Sequence, residues 1–206
     1  MLLYNKLSND ERAALIRKAN EKRLTLSFYK YYKIDDVESF RNHLFISFEK
    51  LNILGRIYVA EEGINAQLSI PANKIKKLKQ VLDSITFLKN IRLNIGVEHN
   101  NESFLKLKIK IKDKIVADGL KPEEYDIHNS GTHLSAKEFN DLLDEPNTIT
   151  IDMRNHYESE VGHFKGAICP DVDTFRDSLP YIKEKFDYIK NKKNILMYCT
   201  GGIRGE

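Results

Sequence analysis

Two cysteines are all that the 206 residues contain. That is too few for a disulfide framework, so a reducing, cytoplasmic setting is the expectation. No apolar run approaches the ~18–20 residues that a membrane-spanning helix needs. The opening stretch, MLLYNKLSNDERAALIRKANEK, is charged too early and too densely for a signal peptide. Internal repeats and low-complexity tracts are missing as well. So is a strong charge imbalance, since 33 Lys and Arg stand against 30 Asp and Glu. A net charge of +3 says nothing about nucleic acid until its distribution is considered. What remains, 41% hydrophobic and 31% charged residues, is the composition of a soluble globular chain with one large domain or two small ones.

Local patterns divide that chain. Ser8 followed by Glu11 forms a capping box and predicts a helix to about Lys22. LTLSFYKYY, rich in aromatic and β-branched residues, reads as a strand. Val37, Phe40, Leu44, Phe45, Phe48 and Leu51 recur at helical spacing. GRIYVA and INAQLSI read as strands joined through EEG, where Gly63 supplies the positive φ of a tight turn. Pro71 fits the start of the next helix, with Ile75, Leu78, Val81 and Leu82 on its buried side. A last strand is expected in SFLKLKIKIKDKIV. The order β-α-β-β-α-β over Leu24 to Val116 is that of a ferredoxin-like domain.

A second unit opens near Asn129. Ser135 and Glu138 form another capping box, and NTITID and NILMY read as strands with helical material around PYIKEKFDYIK between them. That alternation predicts an α/β domain with a parallel sheet. The expected organisation is an N-terminal helix at 1–23, a basic ferredoxin-like domain at 24–118, a polar linker at 119–130 and an α/β domain at 131–206.

Two features carry chemistry. In KLKIKIKDK, Lys106, Lys108, Lys110, Lys112 and Lys114 alternate with apolar residues, so a strand here would present a row of ammonium groups on one face. Lys74, Lys76, Lys77 and Lys79 add charge from the same domain. A phosphate backbone suits such a surface; a solvated face that discourages edge pairing would read the same way. The second feature is YCTGGIRGE. Cys199 leaves an apolar strand and enters Thr200, Gly201, Gly202, Ile203 and Arg204. The glycines let several amides turn inward as an anion-binding nest, which with the arginine favours a nucleophilic thiolate. Four residues separate thiol and guanidinium, one fewer than in a cysteine-phosphatase cradle, giving a tighter ring suited to a sulfur carried on the cysteine. A buried cysteine before a glycine turn is the structural alternative.

Upstream, IDMRNHYESEVGHFKGAICP places Asp152, Arg154, Glu158, Gly162, His163, Gly166 and Ala167 in a D-x-R…E…G-H-x-x-G-A pattern. Followed by C-x-x-G-x-R, it resembles the rhodanese domain. GRIYVAEEGINAQLS, FLKLKIKIKDKIVADG and GTHLSAKEFNDLL extend the likeness, and nearly the whole chain resembles the rhodanese-family tRNA uridine 34 hydroxylases. The resemblance implies an acylphosphatase-like domain ahead of the rhodanese domain. It implies tRNA as partner, and hydroxylation of the wobble uridine to 5-hydroxyuridine with molecular oxygen as co-substrate. Cys199 matches the catalytic cysteine, with no metal and no organic cofactor. His128, His133, His156 and His163 lack metal-ligand spacing, and His163 reads as a turn residue. Asp152 and Arg154 read as an internal ion pair shaping the site.

The likeness is not complete. Where the family has a second cysteine after the arginine this chain has Gly205, which leaves Cys169 as the only other thiol. The family also continues past this point, so the rhodanese-like domain is expected to be C-terminally incomplete and weak or silent in catalysis as it stands. A sulfurtransferase handling a cysteine persulfide and a non-catalytic RNA-binding protein with a rhodanese shell are the alternative functions. No signal for an oligomeric state is present.

Overall fold

The structure is a computed structural model that describes residues 7–97, 100–121, 124–126 and 129–206. His128 and part of the linker lie outside the described residues. The chain divides into two compact units, Met1–Ile115 and Val116–Glu206.

In the first unit, helix α1 spans Asn9–Ala19 and begins as expected. Ser8 Oγ accepts from Glu11 N while Glu11 returns a carboxylate to Ser8 N. It stops short of Lys22 because Asn20 turns left-handed at φ 47° and its amide closes on Arg17 and Ile16, a conformation asparagine tolerates. Strand β1 (Arg23–Tyr31), helix α2 (Val37–Lys50), strands β2 (Leu54–Ala60) and β3 (Gly63–Pro71), helix α3 (Ile75–Asp83), and strands β4 (Asn94–Ile95) and β5 (Leu107–Ile111) follow. Pro71 closes β3 and is followed by a single 3-10 turn, Ala72–Lys74, before α3.

The sheet order is β4-β1-β3-β2-β5. Every neighbouring pair is antiparallel except β2–β5, which is parallel. The first four strands of that order make the ferredoxin-like sheet, but its fourth strand is the two-residue β4 and not the lysine-rich segment. The lysine strand is instead a fifth strand on the opposite edge, beside β2. It is also shorter than its alternation suggests. Lys108 and Lys110 lie within it and are exposed, whereas Lys106 precedes it, Lys112 and Lys114 follow it, and Lys106 and Lys114 are half-buried. Two side chains end the strand. Glu62 accepts from Ile115 N at 2.7 Å and Asn65 Nδ2 donates to Ile115 O at 3.0 Å, drawing the chain over the β2–β3 turn.

The core lies between one sheet face and helices α2 and α3. Phe28, Leu44, Phe48, Ile57, Leu68, Leu78 and Leu82 are buried there. Each such side chain contributes roughly 1.5–3 kcal/mol relative to exposure.

The second unit contains α4 (Ala136–Leu143), β6 (Thr148–Asp152), α5 (His156–Val161), α6 (Phe175–Glu184), α7 (Phe186–Ile189) and β7 (Asn194–Tyr198). The capping box at Ser135 and Glu138 starts α4. Strands β6 and β7 pair in parallel, and Ile168 bridges to the other edge of β6. Ile149, Ile151, Met153 and Ile189 form its core.

Gly63 has φ 145°, and a Cβ at this position would sit 2.1 Å from Lys30 O. Gly63→Ala is therefore expected to lower stability by about 1–3 kcal/mol, read as a shift in the urea unfolding midpoint at unchanged slope.

Candidate active site

Three segments of the second unit converge at the C-terminal ends of its parallel strands: the turn after β6, helix α5, and the loop after β7. Strand ends of this kind are where α/β sheets build ligand sites.

The loop after β7 holds Cys199. Gly202 has φ 93°, a conformation that glycine adopts without strain. This turn aims the Gly202 amide at the cysteine, so that Gly202 N donates to Sγ at 3.0 Å. The sulfur is half-buried and rests against the apolar cluster of this unit. Ile203 then opens a 3-10 turn, Ile203–Gly205, that brings Arg204 back toward the site.

Arg204 does more than face the thiol. Its guanidinium grips Glu158 with both arms, Nη1 to Oε2 at 2.8 Å and Nη2 to Oε1 at 3.0 Å. Thr200 Oγ1 donates to the same carboxylate at 2.7 Å, and Asn155 N donates to it at 3.2 Å. Glu158 thus ties the first and last parts of the loop to the start of α5. Burial opposes its charge, but Arg204, Thr200 and the Asn155 amide win and hold its pKa down to about 2. Arg204 is pushed upward in turn. Burial works against it, but Glu158 and the nearby Cys199 sulfur outweigh that cost. Arg204 therefore serves the cysteine as a guanidinium whose direction is fixed by a carboxylate.

Asp152 and Arg154 form the expected ion pair. Arg154 Nε and Nη2 donate to Asp152 at 2.9 and 2.6 Å, and Nη2 also reaches Gly162 O at 2.6 Å. Tyr198 Oη donates to Asp152 Oδ2 at 2.7 Å and accepts from Phe164 N at 3.3 Å. Burial raises and the Arg154 and Tyr198 bonds lower the Asp152 pKa, with a net lowering. Burial and that carboxylate push Tyr198 up to about 12. The ion pair thereby fixes the backbone of residues 162–164 beside the cysteine loop.

Cys199 and Thr200 line a cleft of about 440 Å³ together with Arg154, His163, Phe164 and Tyr198. His163 is exposed, and its Nδ1 lies 3.0 Å from Ser159 O, a turn contact. His133 pairs with Glu206 and His156 with Asp173 at the surface. Cys169 sits near Ala167 O, its thiol pushed up by burial and by Asp152. Among the described residues no cluster of three or more His, Cys, Asp or Glu could hold a metal ion, and no helix is long and apolar enough to cross a membrane.

Cys199, its loop, Asp152 and Arg154, all singled out in the sequence, lie together at the ends of the parallel strands. The contacts that organise them come from Glu158, Tyr198 and Phe164. Glu158 was visible as the acid of the D-x-R…E pattern, but its grip on Thr200 and Arg204 joins positions 42 and 46 residues apart. Phe164 and Tyr198 carried no motif at all.

A parallel strand pair, a cysteine loop at its strand ends and an Asp–Arg pair at the same cleft make up the site of this α/β unit. Residues 135–206 match the rhodanese-like domain family, and residues 23–115 match the UPF0176 acylphosphatase like domain. The two matches follow one another along the chain, acylphosphatase-like first and rhodanese-like second. The chain is 46% identical over all 206 residues to the tRNA uridine(34) hydroxylases of Yersinia enterocolitica and Yersinia pestis. It spans 59% and 58% of their respective lengths.

Glu158 generates a pH signature. An ordinary glutamate titrates near 4.5, whereas here the folded value is about 2. Its contribution to stability is complete above 4.5 and is lost as pH falls toward 2. Unfolding midpoints measured from pH 6 to pH 2 are expected to fall more steeply in the wild type than in Glu158→Gln. The two curves should converge at the acid end.

Proposed function

We propose that the protein modifies tRNA, hydroxylating the wobble uridine at C5 with Cys199 as the catalytic nucleophile and molecular oxygen as co-substrate, with no resident metal or organic cofactor. The observation that carries this reading is the Cys199 loop, in which an amide donates to the sulfur and a Glu158-bound guanidinium stands beside it. Whole-chain identity to proteins named for this reaction supports it. The cytoplasm, where tRNA is found, is the proposed location.

Cys199 would act by adding to C6 of the uracil ring, which is conjugated to the C4 carbonyl and electrophilic. The addition turns C5 into an enolate-like carbon able to meet oxygen. One oxygen atom ends on C5. The other leaves as water with two electrons from a donor of the thiol class, and loss of the C5 proton then expels Cys199 from C6 and restores the C5–C6 double bond. Nucleophilic activation of this kind is what an amide donor and a guanidinium beside a cysteine sulfur supply. Arg154 and Tyr198 are placed at the cleft wall, where they would border the ring, and Asp152 holds both in orientation.

The basic domain is proposed to hold the RNA. Lys108 and Lys110 stand opposite Arg56 and Tyr58 across the β2–β5 pairing, and Lys106, Lys112 and Lys114 continue the charge beyond the strand ends. A sulfurtransferase passing sulfane sulfur through a Cys199 persulfide is the second reading, favoured by the rhodanese-like domain itself.

In cells lacking the gene, nucleoside mass spectrometry of tRNA should show loss of 5-hydroxyuridine and its recovery with the wild-type gene but not with Cys199→Ser. Recovery with Cys199→Ser would remove the mechanism. Thiosulfate-to-cyanide turnover that is high and indifferent to tRNA would favour the second reading. Binding of tRNA is expected to weaken with salt, and Lys108→Glu with Lys110→Glu should flatten the log–log slope by roughly 0.9 for each phosphate that is no longer neutralised.

A further inference from the structure

We propose that Phe164 is a substrate-binding residue, the ring on which a planar nucleobase stacks when it enters the Cys199 cleft. This inference rests on the wobble-uridine reading and deepens it by naming what selects the substrate.

Phe164 lines the cleft with Cys199 and remains 39% exposed. A side chain of this kind gains most by burial, yet here it is held by aromatic neighbours and left partly exposed. Tyr198 meets it edge to face at a centroid distance of 4.8 Å and an interplanar angle of 87°. Phe139, from α4, packs at 5.1 Å and 42°. The backbone is fixed as firmly. Phe164 N donates to Tyr198 Oη, and Gly162 O, two residues earlier, accepts from Arg154. Two aromatic neighbours therefore hold the ring and two hydrogen bonds hold its backbone segment, while part of the ring stays exposed at the cleft. Aromatic rings held this way act as stacking platforms for unpaired bases. A small tetrahedral sulfur donor would make no use of such a surface. The Arg154–Asp152–Tyr198 network acquires a purpose as well, since it sets the position of the platform relative to the sulfur.

The sequence has no tryptophan, so Phe164→Trp places a single reporter at the site. Its fluorescence should be quenched by an RNA stem-loop carrying an unpaired loop uridine and unchanged by thiosulfate. In hydroxylation assays on the same stem-loop, Phe164→Leu should raise KM by about tenfold or more, while Phe164→Tyr stays near wild type. The rate of Cys199 alkylation by iodoacetamide, measured in a Cys169→Ser background, should be the same in all of them, because the loop does not depend on this ring. Absence of quenching by the stem-loop, or a wild-type KM in Phe164→Leu, would overturn the stacking role. Neither result touches the hydroxylase reading, which stands or falls on Cys199→Ser. Quenching without any 5-hydroxyuridine would keep the platform and remove the hydroxylase.

Discussion

The Glu158 carboxylate is the constraint on which the cysteine loop depends. Its two oxygens receive Thr200, both arms of Arg204 and the Asn155 amide. A loop of two glycines would otherwise sample many backbone states. Tying its first residue after the cysteine and its arginine to one anion removes most of that freedom. What is left is a turn in which Gly202 can donate to Cys199 Sγ. The ion pair is half-buried, with side-chain exposures of 15% and 23% for Arg204 and Glu158. Removing one member would leave the other uncompensated, which is costlier than the pair's net worth.

The second charged pair works in parallel. Asp152 is fully buried, so its charge survives only because Arg154 and Tyr198 satisfy it. That network reaches Gly162 O and Phe164 N, whose residues also line the cleft. One acid thus organises the loop that carries the sulfur, and the other organises residues that line the same cleft. Both acids come from the D-x-R…E segment, which explains why a stretch with no nucleophile of its own accompanies the cysteine loop in sequence.

Much of this was legible in the residues, and the failures are informative. Both Ser-x-x-Glu capping boxes, the positive φ at Gly63 and the apolar stripe of α2 are local signals, and the structure has each of them. The lysine segment misled because alternation reports exposure on one face without naming the neighbour. It fits a fourth ferredoxin strand as well as an added edge strand, and the two residues of β4 are too few to leave any periodic trace. Nor does alternation tell where pairing ends, which here depends on Glu62 and Asn65 capturing Ile115. The candidate site divides the same way. Cys199 and its glycines announce themselves through spacing, whereas Glu158, Tyr198 and Phe164 matter through contacts that only folding creates.

The Gly202 amide reports most directly on whether the loop is held around the sulfur. Its hydrogen-exchange rate, measured by NMR in the wild type, in Cys199→Ala and in Glu158→Gln, separates the acceptor from the brace. A bond of ordinary strength corresponds to about tenfold protection. The wild-type amide should therefore exchange about ten times more slowly than in either variant. Equal rates in all three would mean that neither the sulfur nor the carboxylate shapes the turn, and the account of the site would be wrong.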